Sequence, residues 1–573
     1  MIRMPLWCSG PERPPSLDPT ALLGFVRPLG LLLVLAGTCL LAGGAEAAPA
    51  DQPAEVRLWG RWEGRFTAEA PVTEHLDLQF RVELTAPSGS THVVPGFWDG
   101  GTVWRARFRP DETGTWQYRT RAEPAVAGLD DRTGQFTVRP AEDAAADSSN
   151  RFLRHGPIRV SENGRYLEHA DGTPFFWLVD TAWSGPLKST AEDWQTYLGD
   201  RLSKGFTGVQ FVTTQWRAAR SDRTGRTAYS GHEDITIHPP FFQRLDRRVD
   251  AINEAGLLAV PVVLWALGDE DRVPGKLPED QAIRLGKYIT ARYGAHHVAW
   301  FLAGDEDFSG ERGRRWRRIG RAVFDAPRHE ALATVHPKGR QWHLEAFRDE
   351  DWYDFVVYQS SHGGGPQTLE WIHSGPPAQH WRNEPPLPVI NAEPGYEALV
   401  AWTREEPHTA FDVRQQAYYS LLSSPPAGVS YGAHGVWSWE TEPRTPLNHE
   451  ETGVAMPWDE ALPLPGSEDV QHLGGLFRSI DWHTLRPAQD LLADRPGETD
   501  PTTHVAAARS PARDLALVYL PDGGRIRLKA EMLRADLEAQ WVNPRNGRRR
   551  EADALGPRTY TAPDDRDWVL LLR

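Results

Sequence analysis

Between residues 175 and 440 the chain repeats one alternation. A short run that is apolar on both faces is followed by a longer amphipathic or polar stretch, and this happens eight times at roughly even spacing. Runs apolar on both faces fit buried parallel strands rather than half-exposed ones. The expected strands are 175–180, 208–213, 257–264, 298–302, 331–335, 354–359, 387–391 and 428–437. Helices are expected near 190–204, 240–255, 278–294, 312–324, 409–423 and 470–481, the first opening on a cap-like Ser189-Thr190-Ala191-Glu192. Strand and helix alternating in this way predict an α/β fold, a (β/α)8 barrel over 151–488.

The flanks carry a different period. Leu76–Leu84, Val103–Phe108 and Thr115–Arg119 alternate apolar and polar positions, separated by the turn signals Asp99-Gly-Gly101 and Pro110–Gly114. Residues 51–140 are therefore expected to form a β-sandwich. Residues 495–573 return to the same pattern, in Leu515–Tyr519, Trp541-Val542 and Trp568–Leu572, and predict a second one. Between the first sandwich and the barrel, 141–150 is a small, polar linker. Ile158–Phe175, with Asn163-Gly164 and Asp171-Gly172, reads as a hairpin able to plug the barrel base.

The N-terminus has its own signature. Arg27 precedes an apolar run of about 13 residues, Leu29–Leu41, and Ala45-Glu-Ala47 follows. The run is short for a membrane span and suits a signal peptide over 1–48, so the protein is expected to be exported with no stable span after cleavage. Cys8 and Cys39, the chain's two cysteines, both lie in this segment. The mature protein would then hold neither a disulfide nor a thiolate nucleophile.

Composition narrows the function. The net charge is −15, which argues against nucleic acid as a partner. The 24 tryptophans exceed what one barrel core requires and supply flat apolar faces of the kind that sugar rings stack on. Trp98, Trp104 and Trp116 are either such a platform or packing between cores. The chemistry lies at the strand ends. Asp180, Asp305, Glu306 and Glu393 follow apolar strands one, four and seven, where barrels of this type place catalysis. Glycosidic cleavage needs two such carboxyls, one acid/base and one nucleophile or base. Asp305 and Glu306 are neighbours and point apart, so one of the two faces the pocket. Asp180 orients a substrate hydroxyl or braces the pocket. Trp183, Gln215, Trp216, Tyr358, His362, Trp437 and Trp439 sit at or just beyond strand ends and are candidate substrate contacts, with His336 and Glu440 weaker candidates.

These residues carry a resemblance. Asp180-Thr-Ala-Trp183, Lys204-Gly-Phe206, Ala303-Gly-Asp305, Tyr358-Gln-Ser360 and Asn391-Ala-Glu-Pro394 with Tyr396-Glu397 resemble the apiosidase-like glycoside hydrolases over about 155–485. The resemblance implies that Asp305 and Glu393 are the catalytic carboxylates; Asp305 is then expected to be the acid/base and Glu393 the nucleophile. No cofactor is expected, and the expected substrate is a plant or microbial polysaccharide or oligosaccharide, apiose-containing pectin being the family-level suggestion. The resemblance also implies the flanking company of an N-terminal β-sandwich and a C-terminal domain of the type labelled collagen-binding. Where the family often has Gly-Gly-Asp, this chain has Ala303-Gly304-Asp305, which predicts a reshaped pocket floor. Two other classes compete. One is a metal-dependent barrel hydrolase using His336, His362, Asp180 and Asp305, although the scattered histidines lack a ligand spacing. The other is a non-catalytic carbohydrate-binding or adhesion protein, which has no need of a carboxylate pair.

The N-terminal pattern makes the first prediction. Intact-mass measurement of exported protein should show a chain that begins after Ala47 or Ala48 and holds no cysteine. A mature chain retaining Cys39 would contradict it.

Overall fold

The computed structural model of the chain describes residues 53–140, 150–268, 273–325, 331–424 and 427–573; the candidate signal segment lies outside these residues. Eight strands form one sheet: β1 (Trp177–Thr181), β2 (Gly208–Val212), β3 (Leu258–Trp265), β4 (Trp300–Glu306), β5 (Ala333–Pro337), β6 (Val356–Gln359), β7 (Val389–Glu393) and β8 (Gly428–Tyr431). Their spatial order is 5-4-3-2-1-8-7-6 and every ladder is parallel. The seam between β5 and β6 is closed by Asp354 N donating to Ala333 O (2.9 Å) and Thr334 Oγ1 donating to Phe355 O (2.6 Å). A helix follows each strand: α1 (Ala191–Ser203), α2 (Pro239–Glu254), α3 (Glu279–Tyr293), α4 (Gly310–Val323), α5 (Leu344–Phe347), α6 (Pro366–His373), α7 (Ala410–Ser423) and α8 (Pro465–Arg478). This is the (β/α)8 barrel that the periodicity predicts.

Local chemistry sets the helix starts. Thr190 with Asp193, and Thr409 with Asp412, form reciprocal capping boxes that satisfy free N–H groups of α1 and α7. Pro239 opens α2, where its missing N–H costs nothing. The helices α5 and α6 escaped the sequence reading because runs of 4 and 8 residues are too short to show a period. β4 continues to Glu306, past the expected end at 302, because backbone pairing of Ala303 and Gly304 with β3 does not need apolar side chains. β8 stops at Tyr431, since Gly432 packs so closely on the Tyr396 ring that a Cβ there would lie 2.2 Å from it.

The barrel interior is filled rather than hollow. Trp177 stacks on Phe301 (6.4 Å) and its Nε1 donates to Ser430 Oγ (3.1 Å), while Gln210 Nε2 donates to Thr181 Oγ1 and Ala392 O, both at 2.8 Å. Three short strands, Ile158–Val160, Leu167–His169 and Pro174–Phe175, bury Ile158, Leu167 and Phe175 in the same core ahead of β1.

The N-terminal region is a seven-stranded sheet folded over itself. Its long strand Thr91–Gly100 pairs with Gln79–Thr85 in its first half and with Val103–Phe108 in its second. Trp62, Phe66, Phe80, Trp104, Trp116 and Phe136 fill the space between the layers. Trp104 and Trp116 are thus core, and Trp98 packs on the same core and against His75 (3.8 Å), while its backbone carbonyl accepts from Tyr288 Oη of the barrel at 3.0 Å. An ionic network joins the two units. Asp246 on α2 accepts from Arg107 Nη2 (2.8 Å) and Arg292 Nη2 (2.7 Å); Arg292 also meets Asp99 (2.8 Å), and Arg107 Nε meets Glu63 (2.6 Å).

The C-terminal sheet begins at Arg486–Pro487, ahead of the expected 495. It alternates between two cores. Ala516, Val518 and Leu520 face its own second layer, whereas Leu517 and Tyr519 join the barrel core. Tyr519 stacks on Tyr418 of α7 (4.6 Å), and Arg414 of α7 holds Asp567 through Nε (2.6 Å) and Nη2 (2.9 Å).

A buried charge that loses its partner is costly. Asp246→Ala would remove the carboxylate that Arg107 and Arg292 share, leaving each with one acidic partner, Glu63 and Asp99, so it should lower stability by about 3–5 kcal/mol. Chemical denaturation of the variant should show a clearly reduced midpoint; an unshifted midpoint would mean that the network does not hold the two units together.

Candidate active site

At the C-terminal ends of the barrel strands lies a cavity of about 110 Å³, walled by Trp183, Trp216, Trp265 and Trp437. Asp305 and Glu393 both line it. A wider groove of about 750 Å³ runs between the end of α8 and the C-terminal sheet, but it lacks this convergence of carboxylates, histidines and aromatic walls.

Each carboxylate is aimed by a break in its strand. The β4–β5 register slips between Gly304 and Glu306, which leaves Asp305 as the extra residue, with φ +53°. The β6–β7 register slips so that Tyr358 pairs with Asn391 but Gln359 with Glu393, skipping Ala392. Bulges re-aim side chains, and here they turn one carboxylate from each strand into the barrel mouth. A non-glycine residue in the left-handed region stores strain that surrounding packing must hold. Gly304 permits it, since a Cβ there would fall 2.7 Å from the Trp265 ring.

His336 of β5, fully buried, stands between the two carboxylates. Its Nδ1 is 3.6 Å from Asp305 Oδ1 and its Nε2 is 3.1 Å from Glu393 Oε2, ion-pair distances at which the N–H groups are not aimed along the contact. Glu393 Oε1 meets His362 Nε2 at 2.9 Å, and Asp305 Oδ1 accepts from Gln359 Nε2 at 3.3 Å. Burial pushes the His336 ring toward neutrality, but the Asp305 and Glu393 carboxylates outweigh it and hold its pKa at about 9. Burial likewise pushes the Glu393 carboxyl up, and the His336 and His362 rings outweigh that, keeping it well below the usual carboxylate range. Tyr396 is raised well above an ordinary phenol by burial and by the charge of Glu393 beside it, and it accepts from Trp183 Nε1 at 3.1 Å. The Asp305 side chain keeps 17% of its surface exposed against 6% for Glu393, so Asp305 is the more accessible of the pair.

The structure sorts the sequence candidates. Trp183, Trp216, His362 and Trp437 line the cavity with Asp305 and Glu393. Glu306 points away from it, its Oε1 capping Asp307 N at 2.8 Å, which leaves Asp305 as the inward member of that pair. Four expected substrate contacts are corrected. Asp180 is fully buried and accepts from Tyr197 Oη and Arg201 Nε of α1, both at 2.7 Å, so it braces the outside of β1. Tyr358 faces the helix layer and packs on Trp371 of α6 (5.4 Å). Trp439 is buried against Trp194 and Trp458. Gln215 anchors its own loop, through Tyr229 O (3.0 Å) and Ala228 N (2.9 Å).

Sequence reasoning passed over Trp265, Gln359, Tyr396, Trp402 and His449, all of which line the cavity. Gln359 is found by counting strand parity correctly from Tyr358. Trp402 had a signal of its own, as a lone tryptophan in the charged stretch Trp402-Thr-Arg-Glu-Glu406.

Asp305, His336 and Glu393 also form a three-donor cluster, with one ligand-type atom from each within 4.8 Å of the others. Each nitrogen of His336 lies within ion-pair distance of a carboxylate, as suits a doubly protonated ring between two acids.

Comparison with known proteins agrees with this architecture. The family model described as "Apiosidase-like, catalytic domain" matches residues 161–484, more than half of the chain. A domain of unknown function matches 55–123, and a candidate collagen-binding domain of a collagenase matches 486–573. Among solved structures, a glycoside hydrolase family 5 protein from Bacteroides vulgatus is similar, with 23% identity over 73% of this chain and 93% of that one and a TM-score of 0.63. A candidate glycoside hydrolase from the same organism aligns over 90% of this chain and 99% of its own, with 18% identity and a TM-score of 0.64. At such identities the likeness is one of fold. Among curated proteins none matches in sequence. With more than half of its length matched by that family's catalytic domain, the chain belongs to the apiosidase-like glycoside hydrolases.

Proposed function

We propose that the protein is an exported, retaining glycosidase acting on a plant or microbial polysaccharide, with Glu393 as nucleophile and Asp305 as acid/base. One observation carries the reading: a carboxylate from β4 and one from β7 converge to within 4.8 Å on a tryptophan-walled cavity. Retaining pairs stand about 5–5.5 Å apart, whereas inverting pairs need about 6.5–9.5 Å to admit a water. An approach of one oxygen from each to within 4.8 Å fits the closer, retaining spacing better than the inverting one.

The geometry supports a division of labour. Glu393, deep and held ionised by two histidines, attacks the anomeric carbon. As the glycosidic C–O bond breaks, Asp305 donates a proton to the departing oxygen. Asp305 then takes a proton from water, which attacks the glycosyl–Glu393 ester and frees the enzyme. The tryptophan walls suit the apolar faces of a sugar ring. Among the described residues no helix is long and apolar enough to cross a membrane. Export rests on the N-terminal pattern, and apiose-bearing pectin is the first polysaccharide to test.

The roles separate in mutants. Glu393→Ala should abolish turnover on every substrate. Asp305→Ala should lose about 10²–10⁴-fold on substrates with poor leaving groups, keep glycosylation of activated ones, and recover with azide. Activity should survive a chelator, and its loss to EDTA with recovery on adding metal would favour the metal reading of the same three residues. If Asp305→Ala keeps full activity on polysaccharide, the acid/base is elsewhere.

A second test concerns charge. The raised pKa of His336 stabilises the fold fully below about 6.5, and that stabilisation is lost as pH rises through about 9. In ring-labelled protein His336 should be doubly protonated at neutral pH and titrate near 9. His336→Asn should flatten the fall in melting temperature across that window; a neutral His336 at pH 7 would contradict the assignment.

A further inference from the structure

Four of the tryptophans around the cavity are used up as walls. Trp183, Trp216, Trp265 and Trp437 are each 3% exposed or less, and their indole N–H groups donate to Tyr396 Oη, Ser184 Oγ, Leu267 O and His434 Nδ1. Trp402 is different. It lines the same cavity, yet it is 52% exposed, and its indole N–H has no protein partner among the described residues. Leaving half of the largest apolar side chain in water forgoes burial that every other cavity tryptophan obtains.

Nor is Trp402 loose. Its backbone N–H donates to His362 O (3.0 Å), and its ring stands 5.2 Å from the His362 ring at 84°. The neighbouring backbone is tied to the adjoining rim loop by Val400 N donating to Thr452 O (3.2 Å), and into its own turn by Ala398 N donating to His408 O (2.9 Å). Gly364 lies beneath, where a Cβ would sit 2.8 Å from that of Ala401. The ring is therefore presented at the rim, on the same His362 whose Nε2 holds Glu393.

We infer that Trp402 is an outer sugar-binding platform, stacking a second ring of the substrate beside the one held at the carboxylates. This rests on the polysaccharide reading above and deepens it: one ring of the substrate sits at the carboxylates, and Trp402, on the rim of the same cavity, receives its neighbour in the chain. The free indole N–H is a donor for a hydroxyl of that ring. The enzyme is then built for oligomeric rather than simple monoglycoside substrates.

The test compares two substrates of the released sugar: the polysaccharide, screened among pectin, xylan, mannan and β-glucan, and the corresponding glycosyl fluoride, whose leaving group cannot stack. Trp402→Ala should raise the ratio of KM for polysaccharide to KM for fluoride about tenfold, and Trp402→Phe should restore much of it. An unchanged ratio in Trp402→Ala overturns the platform while leaving the glycosidase reading intact. If the unaltered enzyme turns over the fluoride but none of the polysaccharides, the polysaccharide reading falls and the platform with it.

Discussion

Glu393 is buried beneath tryptophan walls, where a carboxylate with no cation beside it would resist ionisation. His336 supplies that cation, and much of the barrel mouth is arranged around it. Its ring packs edge-on against Trp183 (5.5 Å) and tilts over Phe301 (5.4 Å), so aromatic packing from β1 and β4 fixes where the charge sits. His362 adds a second contact from the far side of Glu393. The apolar wall and the buried charges are thus one construction: the wall strengthens each ion pair by excluding water, and the ion pairs make such a wall tolerable.

The barrel was legible in the sequence because its strands are apolar on both faces and recur at even spacing, and because the first helix opens on a cap, signals that depend only on neighbours along the chain. Asp305 and Glu393 were legible for a related reason, as polar residues ending apolar runs. The side of the strand was not legible. Asp180 and Tyr358 were read as facing the pocket, yet the inward residues are Thr181 and Gln359. Alternation decides this only while the strand is regular. Bulges at Asp305 and before Glu393 break the count where the chemistry begins. His336 was undervalued because a lone histidine on an apolar strand carries no signal until the fold sets acids on either side of it.

The flanking sheets are braces of the barrel more than appendages. On the N-terminal side the joint is ionic, through Arg107, Asp246 and Arg292, whose charges satisfy one another away from water. On the C-terminal side it is largely apolar, with Leu517, Tyr519, Val569 and Leu571 counted into the barrel's own core. The two joints will respond differently to solvent: charge pairing of this kind is sensitive to acid, whereas apolar burial weakens on cooling.

The helix α7 follows the strand that bears Glu393, and every residue from Val413 to Ser423 is buried. It has no outer face, because the C-terminal sheet covers the side that a barrel helix ordinarily turns to water. The boundary between catalytic and C-terminal domains is therefore a line in sequence space and not a mechanical seam. A recombinant barrel cut off near residue 485 would uncover the helix directly behind its nucleophile strand and leave Arg414 and Tyr418 without Asp567 and Tyr519, and the C-terminal sheet cannot be exchanged for another module without redesigning that helix.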